Sequence, residues 1–311
     1  MNNRDLNNNL SLHPLGPGQR GQAVSLPPLG LGQRRPVIIA GAGPGDPDLI
    51  TYKAIKALQQ AEVVLTDRLV SEQILNEFVN PDSEVIHVGK QCRRGMSTSQ
   101  KTINEIMVEC ALEGKKVVRL KGGDVSIFSN ILDELEVLVA NNIAYEIIPG
   151  VTAALGAAAY AGIPLTAREH ATAVRFLTSY KSDIVTELYW KELAQTDDTL
   201  VFYMSSETLD GVVQKLTYYN IAKDKMLAVV EQATTPLQHV HVCSLYEYEN
   251  TLKGQFFVSP SLVIIGRVVN LHQQFKWNEN SNSKNYYFKP VSKIINSLTG
   301  IENEKRHVSR A

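Results

Sequence analysis

Cysteine is scarce: three in 311 residues, Cys92, Cys110 and Cys243, each far from the others. No Cys-x-x-Cys pair or adjoining histidine cluster accompanies them, so neither a zinc site nor a disulfide framework is indicated. Their usage fits a reducing cytoplasm. An excess of one charge is also lacking. The 31 basic and 32 acidic residues leave a net charge of −1, so nothing global attracts nucleic acid and any basic site has to be local. No apolar run approaches the ~20 residues needed to span a bilayer, and the first residues lack a basic-then-apolar signal pattern. The expectation is a cytoplasmic chain without a metal, a nucleic-acid partner or a membrane partner. One more absence is more informative. The apolar run Val37-Ile38-Ile39-Ala40 leads into Gly41-Ala42-Gly43-Pro44-Gly45-Asp46-Pro47, a glycine loop of the kind that lets a ligand approach backbone. A dinucleotide fingerprint needs a further glycine where Asp46 stands. Pro44 and Pro47 stiffen the loop and delay the helix to about Asp48 or Thr51. A rigid rim for a ligand without phosphate suits this loop better than a phosphate cradle.

What is present is an ordinary globular composition, 44% hydrophobic and 20% charged, with length for one large domain or two smaller ones. Residues 1–35 are rich in Asn, Gly, Pro and Gln and repeat a short Pro-Leu-Gly-x-Gly-Gln-Arg pattern. They read as a disordered or low-complexity tail with no assigned function. From residue 37 strand and helix alternate. Strands are expected at 37–40, 63–65, 85–88, 117–120 and 145–148. Between them lie apolar stripes such as Ile50, Ala54, Leu58 and Ala61, or Ile103, Ile106, Met107 and Cys110 with Gly114 as terminator. Such alternation implies a parallel sheet covered by helices. Ligands then sit outside the carboxyl ends of the strands, and all five strands run there into polar or glycine-containing motifs.

After Pro164-Leu165-Thr166 a second α/β unit is expected, with strands at 174–178, 200–204, 226–230, 240–243 and 262–265 and a helix at 209–218. Val240-His241-Val242 can be an antiparallel member. The fold class expected is therefore two α/β domains with mostly parallel sheets. The divisions fall at 36–168 and 169–271, and a polar C-terminal tail, 272–311, is expected to be solvated.

The strand-end motifs carry a resemblance. Gly41-Ala42-Gly43-Pro44-Gly45-Asp46-Pro47, Asp67-Arg68-Leu69-Val70-Ser71, Val88-Gly89-Lys90, Val118-Arg119-Leu120-Lys121-Gly122-Gly123-Asp124, Pro149-Gly150-Val151-Thr152-Ala153 and Ala159-Tyr160-Ala161-Gly162-Ile163-Pro164-Leu165-Thr166 stand in order. In that order they resemble uroporphyrinogen-III C-methyltransferase, a member of the tetrapyrrole methylases, over about residues 37–270. The resemblance implies transfer of two methyl groups from S-adenosylmethionine to carbons 2 and 7 of uroporphyrinogen III. The product would be precorrin-2, on routes to siroheme, cobalamin or another modified tetrapyrrole. It also implies a trough between two α/β domains and a homodimer. By the same resemblance the cofactor would touch Pro44, Gly122, Gly123, Asp124, Ile127, Thr152, Ala153, Met204 and Ala233, the last standing where glycine is usual. Asp67 and Lys90 would be proton acceptor and donor. Because the substrate is a polycarboxylate, Arg68, Arg93, Arg94, Lys121 and Arg168 are candidates to meet it, with Arg175 beside them. Arginine can grip a carboxylate through two parallel hydrogen bonds.

Two departures keep alternatives open. The family usually follows Gly-Gly-Asp with Pro, then Phe-Gly-Arg-Gly and a Glu pair. Here Asp124 is followed by Val125-Ser126-Ile127-Phe128-Ser129-Asn130-Ile131-Leu132-Asp133-Glu134. The usual Thr-Gly-His is Thr178-Ser179-Tyr180. The alternatives are another precorrin or tetrapyrrole methylase and a non-catalytic S-adenosylmethionine-binding homologue. A nicotinamide-dependent oxidoreductase is disfavoured by the missing glycine.

Overall fold

The computed structural model describes residues 35–88, 99–178 and 186–289. The first half contains strands β1 (Val37–Gly41), β2 (Val63–Thr66), β3 (Glu84–His87), β4 (Val117–Lys121) and β5 (Tyr145–Ile148). They form one sheet in the order β3-β2-β4-β1-β5, and every pairing is parallel, as the alternation predicts. Helices α1 (Tyr52–Gln60), α2 (Glu72–Phe78), α3 (Gln100–Leu112) and α4 (Leu132–Ala140) supply the crossovers that parallel pairing requires. Local chemistry starts and stops them. Thr51, Ser71 and Ser99 each accept a backbone N–H of the first turn of α1, α2 and α3. Gly114, at φ 82°, follows the end of α3 as its expected terminator.

Two clusters divide the helices between the faces. Ile50, Ala54, Leu58, Ile74 and Leu75 pack with Ala40, Val64, Val118 and Leu120 on one side. Ile103, Met107, Cys110 and Leu138 pack with Val37, Ile39, Val63, Leu65 and Val117 on the other. The neighbours β2 and β4 thus send their chains to opposite faces and in opposite directions along the sheet. A crevice opens outside their carboxyl ends at such a point, and those ends carry Asp67 and Gly122.

After α5 (Ala153–Tyr160) come β6 (Val174–Thr178), α6 (Glu187–Gln195), β7 (Thr199–Tyr203), α7 (Leu209–Tyr218), β8 (Met226–Glu231), β9 (His239–Ser244), α8 (Tyr248–Thr251), β10 (Ser261–Gly266) and α9 (His272–Phe275). The second sheet has the order β6-β7-β10-β8-β9. Pairing is parallel at five of the eight strand contacts of the two sheets, but this second sheet is mixed. The β6–β7 pair is parallel, whereas β7–β10, β10–β8 and β8–β9 are antiparallel. The short connection between β8 and β9 cannot make a parallel crossover, so the chain turns straight back. Val240 to Val242 lie in an antiparallel strand, as their alternation allows.

Helix α5 ties this sheet to the first half. Its alanines Ala154, Ala157 and Ala158 are buried against Val201, Tyr203, Ala228, Val230, Leu262 and Ile264. Small side chains permit that approach: a Cβ on Gly156 would lie 2.7 Å from Pro44 Cγ and 2.9 Å from Thr234 Cγ2.

The tail expected to be solvated is packed as far as residue 289. Asn280 bonds the Val240 backbone in both directions, and Ser281 N–H donates to Gln238 O. Further on, Tyr287 N–H donates to Gln232 Oε1, while the Tyr287 hydroxyl bonds Ser71 and Gln73 at 2.8 and 2.7 Å. The segment therefore straps the β9 edge to the start of α2.

Candidate active site

Three strand ends interlock through glycines. Gly43 and Gly123 exchange backbone hydrogen bonds of 3.1 and 2.7 Å, joining the loops after β1 and β4. A Cβ on Gly41 would lie 2.6 Å from Gly123 O and 2.7 Å from Gly150 N, and one on Gly150 would lie 2.3 Å from Gly123 O. Only glycine allows these backbones so close. Gly123 is at φ 67°, in the left-handed region. The space a Cβ would take there is open except for Ala153 N at 3.8 Å, so its outer side is free for a ligand.

Asp124 pins the assembly. Its Oδ2 accepts Gly150 N–H at 2.9 Å and its Oδ1 accepts Ser126 N–H at 2.8 Å and the Ser126 hydroxyl. Burial alone would push Asp124 up. The Ser126 hydroxyl and the backbone N–H groups of Gly150, Ser126 and Val125 outweigh it and hold the carboxyl below the usual range. The sign follows directly. A carboxyl lowered in the folded state stabilises above its ordinary value of 3.8 and loses that contribution as pH falls through its folded value. Asp124→Asn should therefore be less stable at neutral pH and lose less on acidification. Acid unfolding curves running parallel to wild type would contradict this.

The other residues expected near a cofactor gather around the same loops. Pro44 is buried against Gly156 of α5. Thr152 precedes α5 and bonds the Tyr203 hydroxyl at 2.7 Å, and Ala154 N–H donates to the same oxygen at 3.2 Å. Ile127, Ala153 and Ala233 pack half-buried on the cluster that contains Tyr203. Met204 follows, 52% exposed at φ 53°, and the exposed Phe128 ring, at φ 51°, stands 4.9 Å from Tyr203. Left-handed, non-glycine backbone also occurs at Asn130, Gln232 and Thr234, and strain of this kind concentrates at ligand sites. Asp46 holds the β1 loop to the second half, its N–H donating to Thr234 Oγ1 and its Oδ2 accepting the Tyr160 hydroxyl at 2.5 Å. Burial and then Asp46 push the Tyr160 phenol up to about 12. The open glycine backbone at Gly123 and the exposed apolar side chains of Met204 and Phe128 are surfaces of the chemistry an adenosyl group needs.

Asp67 begins the loop after β2. Its N–H donates to Leu120 O, and Val70 N–H bonds back to Asp67 O. A Cβ on the neighbouring Gly122 would lie 2.9 Å from Leu69 O, so this loop abuts the glycine turn after β4. The Asp67 side chain, 29% exposed, meets Arg119 Nη2 at 2.5 Å. Arg119 is buried, and Glu134 of α4 binds both its Nε, at 2.8 Å, and Lys121 Nζ, at 2.7 Å. Burial works against the Arg119 charge, but Asp67 and Glu134 outweigh it and hold its pKa above the ordinary arginine value.

The candidate cations separate. Lys121 is corrected: buried against Glu134, it cannot line an open trough. Arg175 is engaged by Asp198 and Glu192, each at 2.6 Å. Arg68 is half-buried, which pulls its guanidinium down from its ordinary value, and its Nη1 donates to Lys289 O at 2.7 Å. Arg168 is exposed. Lys90, Arg93 and Arg94 lie outside the described residues. Sequence reasoning missed Arg119, Glu134 and Tyr203. The available signals were two cations alternating on a buried strand and an acid on the apolar stripe of α4.

A family model for tetrapyrrole (corrin/porphyrin) methylases matches residues 36–249. Siroheme synthase of Vesicomyosocius okutanii is 42% identical over 241 residues, which are 78% of this chain and 51% of that protein. The chain thus spans about half the length of the curated relatives it matches. Among solved structures, a cobalt precorrin-4 methyltransferase is similar at 28% identity and a TM-score of 0.68, covering 78% of this chain and 98% of that one. Uroporphyrin-III C-methyltransferase from Thermus thermophilus is similar at 30% identity and a TM-score of 0.65, covering 79% and 98%. Its structure complexed with S-adenyl homocysteine is similar at 30% and 0.63, covering 76% and 94%. The interlocked glycine loops, the two α/β halves and this match over most of the chain agree: the protein belongs to the tetrapyrrole (corrin/porphyrin) methylases.

Proposed function

We propose that the chain is an S-adenosylmethionine-dependent C-methyltransferase that converts uroporphyrinogen III to precorrin-2 by methylation at carbons 2 and 7. The observation that carries this reading is the placing of Asp67, part-exposed and anchored on one oxygen, beside the glycine turn that Gly43 and Gly123 clamp. S-adenosylmethionine, when bound, supplies an electrophilic methyl group on a sulfonium centre. It would be held by Pro44, Gly122, Gly123, Asp124, Ile127, Thr152, Ala153, Met204 and Ala233. Alignment of reacting groups in a dry site can supply roughly 7–11 kcal/mol. As a carbon–methyl bond forms on the macrocycle, a proton must leave it, and Asp67 accepts that proton. Lys90 is its proposed counterpart as donor, and a homodimer in the cytoplasm is part of the same reading. Among the described residues no helix is long and apolar enough to cross a membrane.

The test is incubation with uroporphyrinogen III and methyl-labelled S-adenosylmethionine. Two labels per macrocycle support the proposal. Transfer only to a different precorrin supports the second reading, favoured by Asn130. That residue stands where the family's arginine is usual, and it bonds Asp133 at 2.5 Å instead of projecting a charge. Binding without transfer supports a non-catalytic homologue. Exposed Arg168 is proposed to grip a substrate carboxylate, a contact worth about 1.5–3 kcal/mol. Arg168→Ala should raise KM for uroporphyrinogen III by about tenfold or more with kcat little altered, and an unchanged KM would remove Arg168 from the substrate site.

A further inference from the structure

Arg119 and Lys121 lie two positions apart on β4 and so on one face of the sheet. Both are buried, and buried charges persist only where opposite charge and hydrogen bonds meet them. Glu134, fully buried on α4, does this for both: Oε1 takes Arg119 Nε and Lys121 Nζ at 2.8 and 2.9 Å, and Oε2 takes Lys121 Nζ at 2.7 Å. The rest of the guanidinium is fixed as well. Nη1 donates to Leu65 O and Leu120 O at 3.3 Å each, and Nη2 reaches Asp67 Oδ1. Charges therefore alternate along one line of contacts, Lys121, Glu134, Arg119, Asp67, of which Asp67 is the part-exposed member. The guanidinium is planar and held on three sides, so it has one orientation, and the carboxylate it grips inherits that orientation.

We propose that Glu134 is a positioning residue for the proton acceptor, acting through Arg119 to fix the direction in which Asp67 presents its free oxygen. This rests on the reading of Asp67 as the base. Glu134 is 0% exposed, so it meets no ligand directly. It holds Lys121 as well as Arg119, and the arm through Arg119 is the one that reaches Asp67. Without its charge, two buried cations lose their shared counter-charge; the anchor on Arg119 Nε weakens and the guanidinium can tilt, carrying the Asp67 carboxylate with it. Small misplacements of a reacting group are costly in rate while leaving ground-state binding intact.

A double-mutant cycle on the full chain tests this, with uroporphyrinogen III and labelled S-adenosylmethionine for kcat and KM, and S-adenosylhomocysteine titration for cofactor affinity. Glu134→Gln should lower kcat between about ten- and a hundredfold with KM and S-adenosylhomocysteine affinity unchanged. Added to Asp67→Asn it should cause no further loss, because a residue that acts through the base has nothing left to position. If Glu134→Gln does not fold, Lys121→Gln/Glu134→Gln removes one buried charge of each sign and carries the same comparison. Full turnover in Glu134→Gln, or losses that multiply in the combined variant, would overturn the positioning role and leave the base intact. Full turnover in Asp67→Asn would remove the base, and the proposal with it.

Discussion

Asp67→Asn is expected to lose between about a hundred- and ten-thousandfold in turnover, the usual contribution of a general base, while binding S-adenosylhomocysteine as wild type does. Asparagine is the informative replacement. It keeps an oxygen for Arg119 Nη2, now 2.5 Å from Asp67 Oδ1, and so preserves the buried guanidinium's partner while removing the ability to take a proton. Asp67→Ala does both kinds of damage. Arg119 is 2% exposed, and stripping one partner from a buried charge network costs up to about 3–5 kcal/mol. Some of that cost remains even though Glu134 keeps hold of Nε. An alanine variant that loses turnover and stability together cannot separate the two effects. Retained turnover in the asparagine variant would take Asp67 out of the mechanism, whatever the alanine variant does.

Which parts of this molecule were legible beforehand follows from how each part is stabilised. Strands β1 and β2 of the first sheet are apolar throughout their cores, whereas β4 opens on Val117-Val118 before its two cations. Their positions were accessible from runs such as Val37-Ile38-Ile39-Ala40 and Val117-Val118, and their parallel pairing from the helical stripes between them; the order of the strands across the sheet was not. The glycine interlock was legible in kind, since alternating glycines signal close approach. Its partners were not, because Gly150 and Gly123 meet only through tertiary structure. Strand direction in the second sheet was not legible from the strands, since β-branched runs look alike whichever way they pair. The signal lay in the short connection between Glu231 and His239. The burial of Lys121 was not legible, because charge is ordinarily a surface property and nothing local in a sequence says that Glu134 stands opposite it.

The strap after residue 275 failed for a related reason, and it carries the second large expectation. Its composition is polar, yet polarity describes a solvated segment only if its groups bond water. Here they bond protein: Asn280 to Val240, the Asn285 carbonyl to Gln232 Nε2, Tyr287 to Ser71, Gln73 and Gln232, and the Lys289 carbonyl to Arg68. Phe288 anchors it. The ring is 3% exposed and lies close enough to Gly45 that a Cβ there would sit 3.2 Å from Phe288 Cζ. Phe288→Ala should therefore cost about 3–5 kcal/mol, the range for a buried phenylalanine, read as a fall in the denaturant midpoint with an unchanged slope. A residue on a loosely laid tail would instead change stability by no more than about 0.5 kcal/mol. Because the anchor sits on the loop that carries Pro44 and Gly45, the same variant should weaken S-adenosylhomocysteine binding. Arg168→Ala, which removes an exposed side chain and leaves the Phe288 anchor in place, should leave it unchanged. Loss of stability without loss of cofactor affinity would mean that the strap braces the two halves but not the glycine loop. Neither loss would mean that the packing of Phe288 contributes nothing.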